Sequence, residues 1–325
     1  MEQVRVGIIG AGYIGGVHAK ALASDERARI VATHDVDARR AEQLARSSGA
    51  IVSRSAAELI ESVDAVYITT PNTKHTELAI AAASAGKHVF CEKPMATTLR
   101  EAQAVLKAAE NSRAVFQVGH NRRFAPVYVL LRRLLAEGNA PHSAHAKMNR
   151  GELLNPQWVG DASLTGGFLY ETTIHMFDML RFLFGEVAQL VACGSIHEYA
   201  ETDDFSVLLK FKSGMHATLC SAADASWLFP FERVEVFCHH ATMTTREMES
   251  LAESAGLDGR HMTHSMHQLS KEEKWGYAQE DRAFIDSILR ATTATVNALD
   301  GYKAVELVDA CYRAVASGEP VSFSD

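Results

Sequence analysis

The 325-residue sequence contains no uninterrupted apolar stretch approaching the roughly 18 residues that cross a bilayer, which argues against a helical membrane span. Nor does it carry an excess of positive charge. Its 32 Lys and Arg against 40 Asp and Glu give a formal net charge of −8, which opposes the phosphate neutralisation that nucleic-acid binding requires. Neither nucleic acid nor membrane is an expected partner. The five cysteines, at positions 91, 193, 220, 238 and 311, form no CxxC pair and cannot all pair internally, so they read as reduced structural thiols. There is no internal repeat and no low-complexity linker. The start, Met1-Glu2-Gln3-Val4-Arg5, lacks the apolar segment and small-residue cleavage site of a secretory signal, which makes the cytoplasm the expected location.

What is present is an ordinary globular composition, 47% apolar and 22% charged, in a chain long enough for two cores. The apolar run Val4-Arg5-Val6-Gly7-Ile8-Ile9 has strand length and meets Gly10-Ala11-Gly12-Tyr13-Ile14-Gly15, after which Val17 to Leu22 has helical spacing. In a strand–loop–helix of this kind the first glycine permits the turn, and the second lets backbone approach a pyrophosphate. The third lets helix and strand pack closely, and the helix N-terminus offers amide donors to the phosphates. A second predicted strand, Arg29 to His34, ends at Asp35, twenty residues beyond Gly15, where a carboxylate suits the ribose hydroxyls of a dinucleotide. Asp35 would repel a 2′-phosphate, so NAD is favoured over NADP. Arg39 and Arg40 could serve a phosphate, but they also suit the solvated first turn of a helix over 38–47.

The alternation continues through a helix near 56–61 and a strand over 64–70, with Thr70, Pro71, Asn72 and His75 at its carboxyl end. His75 suits either cofactor contact or the cap of a helix over 76–85. The strand 87–91 then delivers Glu92-Lys93-Pro94 to the same edge as the glycine loop. Proline confines Lys93 to extended backbone and permits a cis bond, and the sequence does not choose between the two. A helix over 99–111 and a strand over 114–118 complete a doubly wound parallel sheet, the NAD-binding domain at 1–120.

Beyond residue 120 the grammar changes. Alternating stretches at 187–197, 205–212, 216–223 and 233–238 lack intervening helices and predict a large, open, mainly antiparallel sheet in an α/β domain over 121–325. A helix over 301–318 is expected to pack, and it could return to the first domain. One helix in this region carries chemistry: over 166–178, Glu171, His175 and Asp178 stand at i, i+4 and i+7, on one α-helical face. His261, His264 and His267 lack carboxylate or cysteine ligands in register, so no metal is expected; a surface segment or a cleft lining suits them.

Together the glycine loop, Asp35, Thr70-Pro71-Asn72 with His75, Glu92-Lys93-Pro94, Asn121-Arg122-Arg123-Phe124, the Gly-rich helix ending in His175 and the Asp300-Gly301 segment resemble the glucose–fructose oxidoreductase/inositol dehydrogenase (Gfo/Idh/MocA) family, over essentially the whole chain. The resemblance implies a Rossmann domain joined to an α/β domain whose open sheet makes a homodimer or homotetramer interface. It also implies NAD-dependent oxidation of a secondary hydroxyl on a sugar, inositol or related cyclitol. The cofactor is expected at Gly10, Gly12, Tyr13, Ile14, Gly15, Asp35, Thr70, Pro71, Asn72, His75, Glu92 and Lys93. Lys93 and His175 act on the substrate hydroxyl, either of them as the direct base, with Glu171 orienting; Asn121, Arg122, Trp158, Asp161 and Tyr170 are candidate hydroxyl binders. The sequence departs from the family at Glu171, where an aspartate is usual, and at Thr173, where a glycine is usual. Two other readings fit the framework: an NAD-dependent glycosidase that oxidises its sugar transiently, and a non-catalytic cofactor-binding sensor.

Overall fold

A computed structural model describes residues 3–138, 140–151, 157–228 and 231–324. Met1 and Glu2, which enter the reading of the amino terminus, lie outside the described residues. The chain divides into two compact units, Met1–Asn121 with Gly276–Val305, and Arg122–Trp275 with Glu306–Asp325. Residues 276–305 thus group with the amino-terminal segment; the sequence pattern suggests a break near 120 with a helix over 301–318 that could return to the first domain.

In the first unit the elements alternate from the start: β1 (Val4–Ile9), α1 (Tyr13–Leu22), β2 (Ala28–His34), α2 (Ala38–Ser48), β3 (Ile51–Val52), α3 (Ala56–Ser62), β4 (Ala65–Ile68), α4 (His75–Ser84), β5 (His88–Glu92), α5 (Leu99–Asn111) and β6 (Phe116–Gly119). All strand pairs are parallel, in the order β3-β2-β1-β4-β5-β6. This is the doubly wound arrangement, whose order reverses between β1 and β4, and such sheets hold ligands outside the carboxyl ends of their strands at that point. β4 is buried along its whole length, as a central parallel strand covered on both faces requires. Val6, Ile8, Leu22, Tyr67 and Phe90 form the core with Phe284 and Ile285, the last two from a later helix.

The second unit begins with α6 (Pro126–Ala136) and β7 (Pro141–Met148), followed by α7 (Ala162–Thr165), α8 (Ile174–Phe184), β8 (Val187–Ser195), β9 (Asp204–Phe211), β10 (His216–Ala222), β11 (Glu232–Cys238), β12 (Ala241–Arg246), β13 (Ser250–Ala255), β14 (Arg260–Ser265) and α9 (Lys271–Lys274). Then come α10 (Tyr277–Arg290) of the first unit, α11 (Ala298–Ser317), within which the boundary between units falls, and β15 (Val321–Ser322). The first turn of α11 belongs to the first unit, where a side chain on Gly301 would collide with Val118 and Met95. The nine-stranded sheet runs β14-β13-β12-β11-β7-β10-β9-β8-β15, antiparallel except where β7 meets β10. No helix among the described residues is long and apolar enough to cross a membrane.

Two sequence expectations need correction. The helix carrying Glu171 and His175 is not α-helical throughout: Leu169–Thr173 forms a π-helical turn that runs into α8. A π turn is wider than an α turn, so the side-chain directions over Leu169–Thr173 are not those of an ideal α-helix. Asp178 does not continue a functional stripe either, since both its oxygens meet the Arg123 guanidinium at 2.6 and 2.9 Å in the core. The histidines at 261 and 264 lie on strand β14, with His261 at Ser254 Oγ (2.9 Å), while His267, just beyond it, meets Glu249 (2.8 Å).

Candidate active site

The carboxyl edge of the parallel sheet is built from several short, mutually braced turns. Gly10 has φ +99°, a left-handed conformation, and a Cβ there would stand 2.5 Å from the Thr69 carbonyl, so only glycine fits. A Cβ on Gly15 would stand 2.2 Å from the Gly10 carbonyl, which is the close helix–strand approach the third glycine permits. Around the Cβ position of Gly12, by contrast, nothing lies within 4 Å. Open space over that backbone, at the cap of α1, is what a pyrophosphate needs. Tyr13 is largely exposed and Ile14 partly so, at the same helix start.

Asp35, at the end of β2, accepts the Ala11 N–H (2.7 Å) on one oxygen and the Asp37 N–H (2.8 Å) on the other. It therefore ties the glycine loop to the neighbouring strand as well as offering a carboxylate there. Thr69, which the sequence did not single out, donates its hydroxyl to the Gly10 carbonyl (2.6 Å) and fixes the loop from the β4 side. Arg40 is drawn to Asp37 at 3.5 Å on the exposed start of α2, and so is engaged locally.

The neighbouring loop is pinned through His75. This side chain is buried, with Nδ1 2.7 Å from the Pro94 carbonyl and Nε2 2.8 Å from the Thr70 carbonyl. His75 thus joins the loop after β4 to the Glu-Lys-Pro turn, and neither helix capping nor ligand contact is needed to explain it. Burial is the main cause holding its pKa below the ordinary histidine value. Asn72 is buried within the short turn Asn72–Lys74, beside Pro71.

The Lys93-Pro94 bond is cis. Glu92 is buried; one of its oxygens accepts the Lys93 N–H at 3.0 Å and the other lies 3.0 Å from His18 Nε2. Burial alone would raise the Glu92 pKa, but the hydrogen bond and charge of His18, with Lys93, outweigh it and hold the carboxyl below its ordinary value. On the other ring nitrogen of His18 sits Asp281 of α10, at 2.9 and 3.1 Å. His18 is wholly buried; desolvation opposes its charge, yet the two carboxylates raise its pKa well above the ordinary value.

In the second unit, Gly166 and Gly167 take φ of +85° and +120° and lead into the π turn. The first amides of that turn are captured by side chains: Phe168 N–H donates to Glu201 (2.9 Å) and Leu169 N–H to the Tyr312 hydroxyl (3.1 Å). A Cβ on Gly167 would meet those same two groups at 2.6 and 2.7 Å. Tyr170 is buried and stacks on Tyr312 with ring centres 6.2 Å apart. Thr173, standing where the resemblance leads one to expect glycine, is fully buried and pairs with Ser221 of β10 at 2.7 Å. Ser221 in turn donates to the Met148 carbonyl (2.9 Å), so the departure anchors the turn to the sheet. His175 follows, buried on the first turn of α8, and Glu171 is partly exposed.

Among the candidate hydroxyl binders, Asn121 and Arg122 are buried, and Arg122 Nε donates to Glu232 (2.8 Å), which also accepts the Tyr128 hydroxyl (2.6 Å). Arg122 thus serves a core ion pair. Asp161 is exposed and caps α7 by accepting the Ser163 N–H (2.9 Å); Trp158 lies in the preceding turn, Gln157–Gly160. A residue absent from the sequence-based set is Arg150, just after β7, whose guanidinium lies 5.7 Å from the Trp227 ring and 5.9 Å from the Phe231 ring. Burial and the charge of Arg122 lower its pKa, and the charges of Glu171 and Glu232 oppose the shift. No sequence spacing marks Arg150, because its neighbours come from three separate segments.

Residues 4–120 match a family model described as an oxidoreductase family, NAD-binding Rossmann fold, and residues 132–323 match that family's C-terminal alpha/beta domain. An inositol 2-dehydrogenase of Rhizobium meliloti is 32% identical over 99% of this chain and 99% of its own. A myo-inositol 2-dehydrogenase of Thermotoga maritima is 27% identical, also over 99% of both. The fold is shared with a levoglucosan dehydrogenase solved with NADH and levoglucosan, at a TM-score of 0.90 and 22% identity, covering 100% of both chains.

Proposed function

Because the chain belongs to the Gfo/Idh/MocA oxidoreductase family, whose NAD-binding Rossmann fold it carries, we propose that it oxidises a secondary hydroxyl of a polyhydroxylated ring, a cyclitol or a sugar. The observation that carries this reading is Lys93, an amine at the carboxyl end of β5, on the same sheet edge as the glycine loop after β1. The relatives named for inositol 2-dehydrogenation match along their full length and support a cyclitol as the first substrate to try.

Bound NAD supplies the hydride acceptor. Gly10, Gly12 and Gly15 with the start of α1 hold its phosphates, and Asp35 meets the adenosine ribose, where a 2′-phosphate would be repelled. What the protein itself must do is take the proton from the hydroxyl being oxidised. Lys93 and His175 carry out that transfer. An imidazole titrates near neutrality unaided, whereas an amine needs desolvation or a neighbouring cation to do so. Glu171 orients the acceptor, and Asn121, Trp158, Asp161 and Tyr170 serve the remaining hydroxyls. Copies associate through the nine-stranded sheet as a homodimer or homotetramer.

The test is a panel of inositols, hexoses and amino-cyclitols with NAD and with NADP, following the absorbance of the reduced cofactor. Turnover of at least one polyol is expected, with NAD preferred. Replacing Lys93 or His175 by Ala should lower kcat by about a hundredfold or more, the range that positioned acid–base groups contribute. No turnover on any polyol with either cofactor would overturn the reading. Bond cleavage in a glycoside with no net reduced cofactor would transfer it to transient oxidation.

A further inference from the structure

The proposed chemistry uses Lys93 but leaves unexplained the two buried ionisable groups behind it. His18 lies on α1, three residues past the last glycine of the phosphate loop, and is 0% exposed. Asp281 lies on α10, more than 260 residues later in the chain, and is 2% exposed. Burying either group unpaired would cost several kcal/mol. They are instead paired in series: Asp281 to His18 Nδ1 (2.9 Å), His18 Nε2 to Glu92 (3.0 Å), and the second Glu92 oxygen to the Lys93 N–H (3.0 Å).

Each nitrogen of the ring lies within hydrogen-bond distance of a carboxyl oxygen, and with both carboxyls ionised the ring donates at both, as an imidazolium. The surroundings hold it in one orientation: the rings of Phe90 and Tyr277 approach edge-on, with centres at 4.8 and 5.8 Å, and Tyr67 lies 5.5 Å away. The charged or titratable groups facing this set are Asp281 and Glu92 on the imidazole, the Tyr67 hydroxyl on Asp281, and Lys93 on Glu92. Glu92 is further confined by Gly119 of β6, since a Cβ there would stand 2.9 Å from the Glu92 carboxyl carbon. A glutamate free to turn could not hold a fixed amide; one gripped from behind by an imidazolium can.

We propose that His18 and Asp281 are positioning residues for Lys93, acting as a buried clamp that fixes the Glu92 carboxylate and, through it, the backbone from which the lysine projects. The clamp also ties the helix that begins at the cofactor's phosphate loop to the strand that ends at the reactive amine, so that both are set in one register. It rests on the assignment of Lys93 to the reaction.

The test compares wild type with His18→Asn, Asp281→Asn and the double variant. In the cofactor-free protein, hydrogen exchange at the Lys93 amide should accelerate by more than about tenfold, while amides of the β5 ladder, such as Val89 and Phe90, stay protected. In turnover, kcat should fall by about ten- to a hundredfold, as small misplacement of a reacting group costs, and by more than KM for NAD rises. The double variant should be no slower than the slower single variant, because the two residues act as one unit. Should His18→Asn fail to fold, Asp281→Asn carries the comparison, since it preserves the side chain's shape. Lys93 amide exchange matching that of wild type, together with full kcat, would overturn the clamp. That result with Lys93→Ala still inactive would sink the clamp alone, whereas an active Lys93→Ala would sink the reaction assignment on which it rests.

Discussion

At the scale of single residues, Glu171 is the most instructive position. It stands where the resemblance leads one to expect an aspartate, and it lies on a π turn. Shortening Glu171 by a methylene withdraws the carboxylate by about 1 Å from where this turn places it. Glu171→Asp should therefore not restore a family-typical site. It should lower kcat/KM by about a hundredfold, the cost of a misplacement near 1 Å, with the thermal midpoint little changed. Equal or higher kcat/KM in Glu171→Asp would show that the carboxylate's reach is not used. Part of this level is legible in the sequence: the three glycines and Asp35 are marked by spacings that follow from strand, turn and helix geometry, while Lys93 and His175 stand out through the family resemblance. Arg150, Thr69, His18 and Asp281 were not marked, because each acquires its meaning from groups distant in sequence. His18 came nearest to legibility, as a histidine on the face of α1 that buries Ala19 and Leu22.

At the scale of elements, α8 is held by two polar anchors in addition to its buried apolar side chains. Asp178 holds it through a bidentate, buried pair with Arg123, and Thr173 ties the preceding turn to Ser221. Removing one member of a buried pair strands the other charge in a low-dielectric interior. Asp178→Ala is expected to lower stability by about 3–5 kcal/mol in urea unfolding, whereas Asp309→Ala, which breaks the exposed Arg313 pair on α11, should be nearly silent. Comparable losses in the two variants would contradict this account of α8. Element types were legible wherever periodicity was strong, as in α2, α5 and the parallel strands. β12 to β14 were missed because Ala241–Arg246, Ser250–Ala255 and Arg260–Ser265 carry few large apolar side chains, and their pairing partners, not their composition, make them strands. The π turn was equally hidden, since its residues are those of any helix.

At the scale of the whole molecule, two sheets with different grammars share one chain, and the change from parallel to antiparallel pairing was visible as the disappearance of intervening helices. The return of α10 to the first unit was not, because a packing helix carries no sign of which core it will join. That return matters for function, for it brings Asp281 behind the Glu-Lys-Pro turn. The central claim, that the molecule moves a hydride from a ring carbon to NAD, can be measured without reference to any single residue. The enzyme would be given a cyclitol or sugar that it turns over, deuterated at the reacting carbon, together with unlabelled NAD, and the reduced cofactor examined by mass spectrometry. Direct transfer predicts reduced cofactor that is heavier by one deuterium and equimolar with the ketone formed. Unlabelled reduced cofactor, or ketone formed with no reduced cofactor, would contradict it.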